Sequence, residues 1–121
     1  MDIRTLNGST LAYFGDSVIE LFIRRQALES DVGDVGRLNE MVISRVKASA
    51  QSAAMDKIEP HLTEEELDYF KRGRNTHLSV PKSATARDYR RATGMESLFA
   101  YLYLTDKQER ITELLKIGYD E

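Results

Sequence analysis

The apolar residues of this chain recur at helical spacing along almost its whole length, and no segment alternates in the way typical of a β-strand. The 121 residues suit one domain with a genuine core. Loops are predicted at residues 30–36 and 73–81, with interruptions at Pro60 and Gly94. The predicted helices are residues 11–28, 35–55, 63–72, 83–92, 95–104 and 105–117, the third and the last opening on the capping boxes TEEE and TDKQ. The pattern predicts an all-α bundle.

Composition excludes several classes of protein. The chain has no cysteine, so disulfide scaffolds and thiolate metal sites are excluded. No apolar run approaches the length of a membrane span, and residues 1–4 do not resemble the start of a signal peptide. We therefore expect a cytoplasmic protein without a membrane partner.

Charge is distributed unevenly along the chain, whose net charge is −3. Residues 71–91 hold seven basic residues and one acid, a net charge of +6, whereas the rest holds 10 basic and 19 acidic residues, a net charge of −9. Such a block forms either a local phosphate-binding surface or an ordinary solvated helix face. The charge pattern alone leaves both interpretations open.

The first predicted helix carries two acids one turn apart, Asp16 and Glu20, on the face opposite its apolar residues. Neighbouring carboxylates repel unless a cation lies between them, and Mg²⁺ prefers such oxygen ligands. The alternative is a wet helix face on which Glu20 pairs with Arg24. Gly15, directly before Asp16, favours the functional interpretation, because a glycine inside a helix often marks close approach of another group.

Glu96 is a further candidate, because it lies in a segment that is otherwise nearly all apolar and should be central. A buried carboxylate needs a partner. Glu96 therefore either interacts with the positive end of its own helix or helps Asp16 to bind a metal ion.

Four segments together resemble the ribonuclease III family. Residues 11–21 (LAYFGDSVIEL) resemble the family's signature helix, and residues 92–104 (ATGMESLFAYLYL) resemble its second acidic motif. Residues 71–75 (KRGRN) and 89–94 (YRRATG) resemble the Mini-III branch in particular. The resemblance covers essentially the whole chain, with the segments in the expected order.

This resemblance implies a magnesium-dependent endoribonuclease that cuts double-stranded RNA as a two-fold homodimer. It implies that Asp16 and Glu96 are catalytic acids and metal ligands, and that residues 1–121 form one catalytic domain without a separate double-stranded-RNA-binding domain. The task implied is maturation of both ends of the large-subunit (23S) ribosomal RNA precursor, with a ribosomal protein as a helper.

The sequence departs from the family's usual set of four acids. Ala12 stands one turn before Asp16, and Thr93 stands three residues before Glu96, where other ribonuclease III domains have acids. From helix spacing, we expect Glu20 to assist catalysis in their place. The alternatives are an inactive domain of the same fold that only binds structured RNA, and a helical dimerisation protein without an RNA partner.

Double-stranded RNA is recognised mainly through its backbone and shape, which suits lysine and arginine side chains. The candidate phosphate contacts are Lys71, Arg72, Arg74, Lys82, Arg87, Arg90 and Arg91. His77 could assist them, although a lone loop histidine is more often simply exposed. We expect the aromatic residues to pack in the core rather than at a dimer seam: Tyr13, Phe14, Phe99, Tyr101 and Tyr103.

Overall fold

The computed structural model describes residues 1–30, 33–77 and 79–119, and these ranges contain helices and no strand. The all-α prediction is therefore confirmed. No helix in these ranges is long and apolar enough to cross a membrane. The α-helices are α1 (Gly8–Glu29), α2 (Val35–Val46), α3 (Ala48–Ile58), α4 (Glu64–Arg74), α5 (Ala86–Leu104) and α6 (Gln108–Tyr119), with 3₁₀ turns at Ile3–Thr5 and Glu59–His61.

The starts of α1 and α4 follow local capping chemistry. Before α1, the side chain of Asn7 accepts a hydrogen bond from the backbone of Thr10. At α4, Thr63 and Glu66 form the predicted reciprocal capping box. The predicted box at 105–108 is wrong, because the Thr105 hydroxyl donates to the Tyr101 carbonyl and Thr105 ends α5 instead of opening α6.

Two predicted helix boundaries are also wrong. Residues 35–55 are not one helix, because Lys47 adopts an extended backbone with ψ 153° and separates α2 from α3. Conversely, α5 runs unbroken through Gly94. This glycine allows close packing, since a Cβ there would lie 2.7 Å from the ring of Phe70. Part of each predicted loop, residues 31, 32 and 78, lies outside the described residues.

Helix α5 is the centre of the bundle and packs against α1, α3, α4 and α6. Its residues Met95, Leu98, Phe99 and Leu102 are fully buried, as the apolar pattern predicts. Burying several such side chains stabilises the fold by about 1.5–3 kcal/mol each. The positions of α1, α3, α4 and α6 are therefore set by their packing against α5.

The buried face of α1 differs slightly from the prediction. Helical spacing predicts that Leu21 lies on the apolar face of α1 and Ile19 at its margin, but Leu21 is 56% exposed and Ile19 is buried. The face turns this way because α1 contacts α5 at Gly15. Among the aromatic residues, Phe99 and Tyr101 are buried and Phe14 and Tyr103 pack against the core, but the core prediction is wrong for Tyr13, which is 86% exposed.

Candidate active site

Helices α1 and α5 pack in close contact where Gly15 faces Glu96. A Cβ atom on Gly15 would lie 1.7 Å from the carbonyl oxygen of Glu96, so only a glycine fits between the two backbones. Asp16 is the next residue of α1, and its carboxyl group is thereby placed beside that of Glu96. The structure thus brings together the two acids that the sequence singles out on separate helices.

The two carboxyl groups interact directly. Burial raises the pKa of Glu96 to about 8, and the negative charge of Asp16 and a hydrogen bond between the two side chains act in the same direction. At neutral pH Glu96 therefore keeps its proton, and a hydrogen bond joins its side chain to that of Asp16. Asp16 is exposed and Glu96 half-buried, so the pair opens to the surface from one side. The other explanation for Glu96 fails, because it lies in the middle of α5 and not at its N-terminus.

Glu20 is not brought into this pair. Its carboxylate accepts a hydrogen bond from Arg24 at 3.1 Å, as the wet-face interpretation expects. Within the described residues there is no group of three or more acidic, histidine or cysteine side chains arranged to hold a metal ion. Two carboxyl groups, those of Asp16 and Glu96, are thus the oxygen donors that this part of the structure offers to a cation.

The residues at the two positions that lack acids are packed into the interior of the bundle. Ala12 and Thr93 are 6% and 3% exposed, and the Thr93 hydroxyl donates to the Tyr89 carbonyl. Neither residue offers a free group to the carboxyl pair. An acid at either position would have to be accommodated in a closely packed environment.

Three of the seven predicted phosphate contacts hold the fold together. Arg72 donates to the carbonyls of Arg4 and Leu6, at 3.2 Å and 3.0 Å, and lies over the ring of Tyr69. Arg87 and Arg91 tie α5 to α3 and to the following 3₁₀ turn. Their partners are Ser52 and Asp56 for Arg87, and Asp56 and Glu59 for Arg91. The sequence did not show these roles, because the hydrogen-bond partners that join different elements are at least 31 residues away in the chain.

Other basic residues of the segment face outward. Lys71, Lys82 and Arg90 are exposed, and no ion pair is found for them or for Arg74 among the described residues. Where the end of α4 meets α5, a surface cavity of about 380 Å³ collects two of these arginines beside three uncharged polar or imidazole side chains. Its lining is Arg74, Asn75, Thr76, His77 and Arg90. The cavity has the chemistry of an anion-binding surface.

A strip of α1 near the carboxyl pair carries three exposed apolar side chains, with exposed polar residues between them. Tyr13, Leu21 and Leu28 are 86%, 56% and 71% exposed. At about 100° per residue they fall within about 80° of one another around the helix. Leu28 also lines a groove of about 420 Å³ between α1 and α2, together with Val35, which is 80% exposed. This concentration of exposed apolar surface is typical of an interaction site.

The chain is similar to known proteins over almost its whole described length. Residues 9–107 match the family model of the ribonuclease III domain. The chain is 42% identical to the Mini-ribonuclease 3 of Clostridium tetani, over 96% of this chain and 78% of that protein, and 41% identical to the Mini-ribonuclease 3 of Symbiobacterium thermophilum, over 96% and 90%. A crystal structure of a Fusobacterium nucleatum protein superposes with a TM-score of 0.85 at 35% identity, covering 96% of this chain and 93% of that one. The chain therefore belongs to the ribonuclease III family and, within it, groups with the Mini-ribonuclease 3 proteins.

Proposed function

We propose that this chain is a magnesium-dependent endoribonuclease that cuts double-stranded RNA, with Asp16 and Glu96 as its catalytic acids. Family membership makes it a ribonuclease. The observation that carries the assignment of the residues is the meeting of two carboxyl groups, one of which keeps a proton because it is half-buried and lies beside the other. A carboxyl group that keeps its proton at neutral pH can release the proton when a cation binds, because the cation favours the charged carboxylate.

The donor set fits Mg²⁺, which takes carboxylate oxygens and keeps several waters. Asp16 and Glu96 would hold it, and when bound it supplies an activated water and stabilises charge on the phosphate and the leaving oxygen. The chain's own contribution is to fix both carboxylates on rigid helices at a surface that a duplex can reach. Glu20, one turn from Asp16 and paired with Arg24, would assist from the edge of the site, directly or through water.

RNA recognition is assigned mainly to the basic residues that face outward. The cavity lined by Arg74, His77 and Arg90 offers two guanidinium groups and an imidazole to a phosphate. Arg90 precedes Glu96 by six residues on α5, an axial separation of about 9 Å. Lys71 and Lys82 would extend the contact along the RNA backbone. The other three, Arg72, Arg87 and Arg91, would act chiefly through their contacts within the fold.

We assign the exposed apolar strip of α1 to a homodimer interface. Tyr13, Leu21 and Leu28 are large apolar side chains that are each more than half exposed, and Tyr13 lies three residues before Asp16 on α1. A two-fold interface here would place two carboxyl pairs near one duplex, one for each strand. The described helices would then form a single catalytic domain whose substrate surface is completed by the partner.

The biological setting rests on the family resemblance alone. It points to a cytoplasmic enzyme that matures the ends of the large-subunit (23S) ribosomal RNA precursor from a paired stem, with a ribosomal protein as a helper. The absence of cysteine from the sequence agrees with a reducing compartment.

A gel assay of a long paired RNA, with Mg²⁺ or with EDTA, tests the proposal. We expect cleavage only with Mg²⁺, and its loss in Asp16→Asn and Glu96→Gln while circular dichroism and dimerisation stay unchanged. Asp88→Asn is a matched control on α5, since Asp88 lies outside the carboxyl pair. Near-normal cleavage by Asp16→Asn would refute the assignment.

A second candidate function is an RNA-binding domain that has lost its chemistry. The observation in its favour is that Ala12 and Thr93, which replace acids, are packed into the fold. The same assay separates the two functions, because duplex RNA that is bound but never cut with Mg²⁺ would support the binding domain.

A further inference from the structure

We propose that Gly15 is a positioning residue for cleavage: its missing side chain lets α1 lie close enough to α5 for the carboxyl groups of Asp16 and Glu96 to act on one ligand. This inference rests on the proposed function of the carboxyl pair and adds the feature that sets its spacing. Gly15 itself would touch neither RNA nor metal.

At the crossing of α1 and α5, a side chain on residue 15 could be accommodated only by moving backbone atoms. A Cβ on residue 15 would lie 1.7 Å from the oxygen, 2.5 Å from the carbon and 3.0 Å from the Cα of Glu96, which are all backbone atoms. Ordinary contact begins at 3.4 Å, so the two helices would have to separate locally by about 1.7 Å (3.4 − 1.7). No side-chain rotation can relieve these contacts, because the atoms that a Cβ would meet are all backbone atoms.

The displacement would occur at the carboxyl pair itself, since Asp16 follows the glycine and Glu96 is the residue that would be displaced. A magnesium–oxygen distance is held close to about 2.0–2.1 Å, so two carboxylates fixed on separating helices cannot both reach the ion. A misplacement of about 1 Å can lower a rate about a hundredfold. Loss of a feature that orients metal ligands typically weakens metal binding about 10–100-fold.

Gly118 provides a matched control. It is a buried helical glycine, and its Cβ would meet the Ile58 side chain at 2.8 Å and the Ala54 side chain at 3.0 Å. The same substitution there is therefore also destabilising, but it lies at the packing of α6 on α3 and not at the carboxyl pair. A difference between Gly15→Ala and Gly118→Ala separates positioning from general loss of stability.

The test is binding of Mn²⁺ alone, a cation that takes the same oxygen ligands, measured by electron paramagnetic resonance of the free ion without RNA. We expect Gly15→Ala to bind Mn²⁺ at least about tenfold more weakly than the wild type. Gly118→Ala should bind with wild-type affinity although its melting temperature is lower. In steady-state cleavage, Gly15→Ala should lower kcat and leave KM for duplex RNA nearly unchanged.

A compensating change makes the test specific. Asp16→Glu lengthens one ligand by a methylene group, so it should weaken Mn²⁺ binding in the wild type but partly restore binding in Gly15→Ala. Wild-type Mn²⁺ affinity in Gly15→Ala, or no recovery in the double variant, overturns the positioning role alone. No Mn²⁺ binding by the wild-type protein overturns the proposed metal site and the positioning role with it.

A second pair of variants covers the case in which Gly15→Ala does not fold. If the spacing of the helices is fixed, Glu96→Asp shortens the two side chains together by one methylene group, so they no longer span the gap between the helices. Adding Asp16→Glu restores their combined length. We expect the exchanged pair to bind Mn²⁺ more tightly than Glu96→Asp alone. Equal affinities would overturn the idea that the crossing fixes the gap.

Discussion

Without metal, the protonation of Glu96 should make the stability of the protein depend on pH in an unusual direction. The folded protein holds this proton up to a pKa of about 8, whereas the unfolded chain loses it near 4.5. Between these values unfolding releases a proton, so the free energy of unfolding falls as pH rises. The stabilisation is fully present below pH 4.5, is lost on the way to pH 8 and is constant above it.

The size of this effect follows from the two pKa values. Each pH unit in the interval corresponds to about 1.4 kcal/mol, which places the upper limit near 5 kcal/mol for one fully uncoupled proton. Water entering the half-buried pair would reduce it, so we expect a loss of about 2–4 kcal/mol between pH 5 and pH 8. That is a large fraction of the stability of a small domain.

The assay is urea denaturation in EDTA at a series of pH values, for the wild type and for Glu96→Gln. Glutamine keeps the shape and the hydrogen-bond donor of the protonated acid but cannot titrate. The difference between the two proteins therefore isolates this group. Glu66, whose pKa is lowered by its hydrogen bonds to Arg110 despite its burial, contributes below pH 4.5 and with the opposite sign.

The outcome that would refute the reasoning is equal pH dependence in the two proteins, since Glu96 would then titrate normally in the folded state. Saturating Mg²⁺ supplies an independent check. A bound cation favours the charged carboxylate, so the fall between pH 5 and pH 8 should shrink, and stability at pH 8 should rise with metal concentration. A fall of the same size with Mg²⁺ would contradict binding at this pair.

Three further predictions concern the surrounding contacts. Arg72→Ala should lower the free energy of unfolding by about 1–3 kcal/mol in urea, because the carbonyls of Arg4 and Leu6 lose their donor; unchanged stability would contradict this. Arg90→Ala should weaken duplex binding and make the slope of log affinity against log salt shallower by about one, without changing stability; an unchanged slope would exclude a phosphate contact. Tyr13→Asp should shift sedimentation towards a monomer, and an unshifted dimer would place the interface elsewhere.

The sequence was sufficient for the fold class and for most helices because apolar periodicity is a local signal. It failed at Gly94 and Lys47 for opposite reasons. Gly94 looks like a helix break but serves close packing against Phe70, a contact made across 24 positions of the chain. Lys47 looks like a helix residue but adopts an extended backbone where the chain changes direction between α2 and α3.

The residues of the candidate site also differ in whether a local signal in the sequence could identify them. Asp16 and Glu96 could be singled out because an acid beside a helical glycine and an acid in an apolar helix are both locally unusual. The difference between Arg90, which faces outward, and Arg91, which is held by Asp56 and Glu59, is not local. Adjacent arginines carry the same charge in the sequence, and only the tertiary partners separate a surface cation from one that holds two elements together.

The smaller set of acids also affects how the substrate would be held. With Ala12 and Thr93 packed into the bundle, the metal-free pair carries one negative charge, because Glu96 keeps its proton. A phosphate that approaches such a site is repelled less than it would be by four carboxylates, and it needs less compensation from a bound cation. The positive segment around Arg74 and Arg90 would then attract RNA before the metal is loaded. In this arrangement affinity for the duplex would reside mainly in the outward-facing cations, and the carboxyl pair would act on the chemical step.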